Sequence, residues 1–321
     1  MLHIFEITFP FFALVLCGYA AARCGLLPLD AIPGLNLFVL YFTLPCMLFR
    51  FGAATPIARM LDASIFGTYL LCALVMVGVS VATTRRGPIG WNDASFGALV
   101  AAFPNSGFMG VPLLVGLLGE RAAGPAIVAL TVDMVITASL CIALSRRGPR
   151  GAHGPGRAVV NALKGVATNP LPWAIALGCG VSASGLVLPA VLLKPVAMLA
   201  DAASPVALFT LGAVLARARV QSPMAAALPQ PRSDVPLIVF YKLIVHPALM
   251  LGTGRLAMAA GLPLDAFAAT VLVLVAALPS ASNVPMLAER FGADAGRIAR
   301  IVLVSTGLAF LSFSAAVALL V

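Results

Sequence analysis

Pro104-Asn105-Ser106-Gly107 interrupts an apolar run of membrane-span length, residues 99–119. Proline removes a backbone donor, Asn and Ser compete for backbone groups with their side chains, and Gly costs entropy, so together the four continue a helix poorly. A helix that restarts after Pro104 leaves its first N–H groups without partners, and its dipole adds partial positive charge. That combination binds anions and suits a carboxylate. Asn105 and Ser106 add side-chain donors, and Gly107 allows close approach to the backbone. A second interruption, Pro279-Ser280-Ala281-Ser282-Asn283, splits residues 266–290. Pro104 and Pro279 are 175 positions apart, and the polar residues leading into each run, Asp93 and Asp265, are 172 apart. The two halves of the chain therefore read as repeats, with Ser280, Ser282 and Asn283 expected to match Asn105 and Ser106. One kink alone is equally what a packed, Pro-bent helix shows; two in register argue for a site.

Two further residues carry charge inside apolar runs: Asp133 in ALTVDMVITAS and Lys242 in VFYKLIVHP. An ionisable group at membrane depth is costly and is a functional candidate by default. Lys242 has three open roles: a member of a fixed ion pair, a cation that attracts substrate, or a proton carrier. His246, one turn on and beside Pro247, reads as its local partner or as a relay. No HExxH, GxSxG or GxxxxGK pattern occurs, so zinc proteolysis, serine hydrolysis and nucleotide-driven pumping have no support. No catalytic residue, metal ligand or cofactor is expected. The six cysteines form no CxxC pair and read as small buried hydrophobes.

The elements that must hold these residues follow from composition. The 321 residues are 61% hydrophobic and 10% charged, with a mean hydropathy of +1.07, whereas soluble domains carry about 25% charged residues. The chain reads as a polytopic membrane protein with both helix breaks at bilayer depth, where an interrupted backbone persists only inside protein or along a polar cavity. Bounded apolar runs give helices at 4–22, 32–53, 63–84, 93–118 (broken) and 124–144, then 169–187, 194–216, 235–259, 265–289 (broken) and 297–320. The first run lacks the positive start of a signal peptide and reads as a retained helix. Five spans per half, an odd number, require the second half to be inserted upside down. Residues 145–168, rich in Gly, Pro and Arg, form a basic loop between the halves. Odd-numbered connections carry 14 Lys and Arg residues and even-numbered ones 5, so the odd ones face the cytoplasm and both termini lie outside. The net charge of +9 is scattered in these clusters rather than arranged in a stripe, which argues against nucleic acid and for membrane topology.

At these residues the chain resembles the auxin efflux carrier family, particularly its bacterial malonate and malate permeases. The most specific pieces are Asn105-Ser106-Gly107-Phe108-Met109-Gly110-Val111-Pro112-Leu113, residues 277–292 (ALPSASNVPMLAERFG) and Val304-Ser305-Thr306, supported by Leu44-Pro45, Asn169-Pro170 and Ser204-Pro205. The resemblance covers nearly the whole length. It implies an all-α membrane fold of ten helices in two inverted five-helix repeats, 1–144 and 169–321, similar to sodium/proton antiporters and bile-acid symporters. Helices 4 and 9 would cross at their breaks. Helices 1, 2, 6 and 7 would form a scaffold, and 3–5 with 8–10 a moving transport domain. With both their helices in that domain, Asp133 is the expected partner of Lys242. Asp201, Asn36 and Tyr41 read as interhelical hydrogen-bonding residues.

The expected function is elevator-type secondary transport of small organic carboxylates across a bacterial inner membrane by a homodimer. The inside-negative potential opposes anion entry by about 2.3 kcal/mol per charge per 100 mV, so import needs a coupled proton or sodium ion, whereas export could run uncoupled. The alternatives are a channel through the same crossing or an uncoupled exporter; an intramembrane enzyme lacks any catalytic spacing.

Overall fold

Lipid offers no hydrogen-bond partner, so an apolar chain must close its backbone bonds within helices. The computed structural model describes residues 2–54, 62–85, 89–146, 170–221 and 234–321, and their regular elements are helical. In chain order these are α1 (Leu2–Arg23), α2 (Leu29–Ala54), α3 (Ala63–Thr84), α4 in two halves (Trp91–Ala102 and Ser106–Leu118), α5 (Glu120–Ser145) and α6 (Pro170–Ser184). They continue with α7 (Ala190–Gln221), α8 (Val235–Ala259), α9 in two halves (Ala266–Ala277 and Val284–Arg290) and α10 (Ala295–Leu320). Among them α2, α3, α5, α7, α8 and α10 are long and apolar enough to cross a membrane.

Both interruptions fall at the expected prolines. Helix α7 extends a turn beyond the expected 194–216 at each end, with Pro195 and Pro205 inside it as that span already had them; neighbouring helices and local adjustment satisfy backbone groups that proline frees. Wide π turns at Val39–Thr43, Ser106–Gly110, Asp133–Thr137 and Tyr241–Val245 were not foreseen, since one extra residue in a turn leaves the apolar pattern almost unchanged. Most of the expected basic loop, from residue 147 on, lies outside the described residues. Only Cys72 and Cys141 are buried, while Cys17 and Cys24 are exposed; Cys24 lies in the turn that follows α1, beyond the apolar run.

Helix packing separates two groups. In the first, α1 lies along α7, and α2 packs on α6 and α7. Glycine permits both contacts: a Cβ on Gly212 would stand 1.8 Å from the Val15 carbonyl oxygen, and one on Gly18 1.9 Å from that of Phe209. The α2–α6 contact repeats this with Gly178 against Phe49 and Gly52 against Ile175. Gly18 and Gly178 are 160 residues apart, as are Gly52 and Gly212. In the second group, α3 packs on α8 and on the first half of α4, and α5 packs on that half and on the first half of α9, which also touches α8 and α10. Contacts between the groups include α7 against the Ser106–Gly110 turn and α1 against α10.

A half-buried knot fastens one end of the second group. The Arg297 guanidinium at the start of α10 donates to the Asp234 carboxylate ahead of α8, through Nε at 2.7 Å and also through Nη2, and to the Asp93 carbonyl of α4 at 2.8 Å. Asp93 in turn accepts the Asp294 amide at 2.8 Å, and Asp294 caps α10 by accepting the Arg297 amide at 2.8 Å.

Candidate functional site

A helix broken in an apolar interior must find partners for the carbonyls of its first half and the amides of its second. Here the two breaks serve each other. Phe103 and Leu278 turn extended (ψ 102° and 155°), and the segments run antiparallel with Pro104 opposite Ser280. The Asn105 N–H donates to the Pro279 carbonyl at 2.8 Å, and the Ala281 N–H donates to the Phe103 carbonyl at 3.0 Å. Pro104 and Pro279 thus sit where no N–H is required. Gly110 lets the segments approach, since a Cβ there would lie 2.5 Å from a Leu278 methyl carbon.

The two sides of this crossing differ. On the α9 side the Ser280 hydroxyl, expected to face a ligand, donates to the Val100 carbonyl at 2.7 Å, because the end of the first half of α4 needs a donor. The Ser280 N–H in turn meets the Ser305 hydroxyl at 3.3 Å. On the α4 side the Asn105 carbonyl accepts the Met109 and Gly110 amides at 3.1 and 2.9 Å, forming the wide turn. The Asn105 Nδ2 amide and the Ser106 hydroxyl are fully enclosed with no protein partner. A buried donor left in this state carries a desolvation cost of about 1–3 kcal/mol, which an incoming acceptor would relieve. Gly107 is half-buried, and a Cβ there would meet nothing closer than Leu130 at 3.7 Å, so space remains beside it. Ser282 and Asn283 are half-buried on the turn before the second half of α9.

Four residues form a second buried cluster in the same group. The Asp133 carboxylate accepts from the Tyr69 hydroxyl of α3 at 2.6 Å and from Thr137 Oγ1 at 3.1 Å. The Tyr69 and His246 rings lie 6.5 Å apart, and His246 Nδ1 is 3.0 Å from Lys242 Nζ. Lys242 Nζ also donates to the Ala276 carbonyl at 2.9 Å, in the last turn of the first half of α9. All four are wholly buried. Lys242 and Asp133 are therefore neighbours across a row rather than the direct ion pair expected: Lys242 Nζ meets His246 and the Ala276 carbonyl, and Asp133 accepts from Tyr69 and Thr137. The open carbonyl end of α9 claims the ammonium, and Tyr69 claims the carboxylate. Asp201 serves as an interhelical partner, accepting from Arg50 at 2.6 Å.

Sequence reasoning missed Tyr69 and Thr137, and named Ser305 and Gly110 only as parts of the family motifs, without a role. A lone Tyr or Ser in an apolar run carries little signal, because its partner comes from a distant helix. A cavity of about 330 Å³ at the starts of α3, α5 and α9, lined by Asp62, Glu120, Arg121 and Asp265, was likewise unforeseen. Its Arg121 lies over the Phe267 ring at 5.1 Å.

Comparison with known proteins accords with this architecture. A family model described as "Membrane transport protein" matches residues 3–154 and 157–317. A protein of Rhizobium meliloti (strain 1021) described as "Putative malonate transporter" is 31% identical over 316 residues, which is 95% of this chain and 92% of that protein. The "Uncharacterized transporter YfdV" of Escherichia coli (strain K12) is 27% identical over 291 residues, 88% of this chain and 86% of its own.

Proposed function

This chain belongs to the membrane transport protein family, that of the auxin efflux carriers, whose members are transporters and not enzymes, and from that premise we propose that it is a secondary carrier of small organic anions. The observation that carries the reading is the crossing itself: two broken helices joined back to back, with enclosed, unpartnered donors at Asn105 and Ser106. The restarted α4 presents a carboxylate with those donors, the amides of its first turn and the open side of Gly107; Ser282 and Asn283 complete the site from α9. Malonate or a similar dicarboxylate is the cargo, a choice supported by the description of the Rhizobium relative.

The fold reading is ten spans in two inverted repeats, 1–144 and 169–321. Its supports are the reciprocal crossing and the equal spacing of the paired glycines. Helices α1, α2, α6 and α7 form the scaffold, and α3–α5 with α8–α10 form the transport domain, which carries the crossing across the bilayer as an elevator. The protein works as a homodimer in a bacterial inner membrane, with both termini outside by the distribution of Lys and Arg. Import of the anion is coupled to a cation, a proton or sodium.

Proteoliposomes offered labelled malonate, malate and an aromatic acid, with and without a pH gradient, test this. Saturable uptake with counter-transport from preloaded vesicles is the expected result. Flux rising linearly with concentration would replace the carrier by a channel, and no uptake of any of the three would remove the anion reading.

A further inference from the structure

Resting on that carrier reading, we infer that the buried row Asp133–Tyr69–His246–Lys242 binds the coupling ion, that this ion is a proton, and that Asp133 receives it. The argument begins at the crossing. The first half of α9 ends in open carbonyls, the negative pole of a helix and the natural seat for a metal cation. That seat is taken: Lys242 Nζ donates to the Ala276 carbonyl at 2.9 Å, just before the chain turns extended at Leu278. Among the described residues no group of three His, Cys, Asp or Glu side chains is placed to hold a metal ion. A sodium ion would have to displace a tethered ammonium.

The row can instead change its charge by one proton. Behind Lys242 stand His246, whose Nε2 is enclosed without a partner, then Tyr69, then Asp133. The other titratable groups facing the row are Cys72 of α3 and Cys141 of α5, both buried. The first half of α9 has no titratable side chain, and Asp93 of α4 is engaged at the far end by the Asp294 amide. With Asp133 ionised and Lys242 charged, the row is neutral overall. A carboxylate arriving at Asn105 and Ser106 brings uncompensated negative charge to the crossing whose α9 end Lys242 caps, in an interior where charges are poorly screened. Addition of a proton from the open aqueous side to an Asp133 carboxylate oxygen restores the balance. The Tyr69 hydroxyl, a donor to the carboxylate, then turns to accept from the new O–H. Departure of the anion reverses both changes. Because the linkage is reciprocal, anion and proton each raise the affinity for the other, which is symport.

The test uses the purified full chain in detergent, weakly buffered at about pH 7.5 where malonate is a dianion and takes up no proton itself. Malonate binding is followed by calorimetry and proton uptake by an indicator dye. The expected result is about one proton taken up per malonate bound, unchanged by sodium. Asp133→Asn, which keeps an acceptor for Tyr69, should still bind malonate but take up no proton, and its uptake into proteoliposomes should lose acceleration by an inward proton gradient. Tyr69→Phe should keep the proton and move the pH midpoint of its uptake, an effect a merely structural tyrosine would not have. Malonate binding without proton uptake, sodium-dependent binding, or proton uptake surviving in Asp133→Asn each overturns the proposal and leaves the carrier reading standing. If malonate does not bind, malate and the aromatic acid are offered in the same assay, and failure of all three to bind overturns both. Should Asp133→Asn not fold, the wild-type proton count decides the ion and the pH midpoint in Tyr69→Phe decides the recipient, an unmoved midpoint overturning Asp133.

Discussion

At the scale of single residues, the crossing assigns different duties to residues of the same chemical type. Asn105 and Ser106 hold unpartnered donors, whereas Ser280 spends its hydroxyl on Val100 and Lys242 spends a proton on Ala276. The consequences of removing them should therefore differ in kind. Asn105→Ala removes a donor to a charged ligand, worth about 1.5–3 kcal/mol, so the half-saturation concentration for malonate uptake should rise roughly tenfold or more with little change in melting temperature. Ser280→Ala leaves the Val100 carbonyl unsatisfied and should cost about 1–3 kcal/mol of stability, read as a lower melting temperature in detergent. A melting loss in Asn105→Ala with unchanged uptake would reverse these assignments. The residue types at the two breaks were legible in the sequence; their division of labour was not, because it depends on which carbonyl each hydroxyl happens to face.

At the scale of elements, close approach rather than apolar area fixes how the first group of helices packs. Lipid is as apolar as leucine, so helices in a membrane associate through tight van der Waals contact at small residues. The Cβ positions at Gly212 and Gly178, 1.8 Å and 2.3 Å from carbonyl oxygens of the opposing helices, leave no room for even a methyl group. Gly212→Ala and Gly178→Ala should each destabilise the protein by about 1–3 kcal/mol or more, visible as a fall in melting temperature. Gly116→Ala is the control, because a Cβ there meets nothing within 4 Å. If Gly212→Ala melts like wild type, α1 and α7 are not held by this contact. Helix positions themselves were readable from apolar runs. Their pairing was not, since glycine's reason for being in a helix lies on the neighbouring helix.

At the scale of the whole molecule, the two groups of helices meet over a limited set of contacts that the proposed elevator movement would have to remake. Phe12 of α1 and Phe310 of α10 face each other across that boundary, ring centres 5.0 Å apart and nearly perpendicular. Arg50 and Asp201 bridge α2 and α7 within the first group. In a cysteine-free background, joining positions 12 and 310 with a short bifunctional thiol reagent should abolish malonate uptake, and joining 50 and 201 should spare it. Full uptake after the first cross-link would rule out sliding of one group past the other.

Legible in the residues alone were the membrane setting, the position of each helix to within a few residues at its ends, the breaks at Pro104 and Pro279, and the family resemblance. These are properties of local composition, which the bilayer and the missing proline N–H translate directly into structure. Tertiary structure decided that the breaks join as an antiparallel bridge, that Ser280 turns inward while Asn105 and Ser106 are left unpaired, and that Lys242 caps α9 instead of meeting Asp133. Those outcomes hang on partners 25 to 180 residues away, and a hydrogen bond is chosen by distance in space, about which the order of residues along the chain is silent.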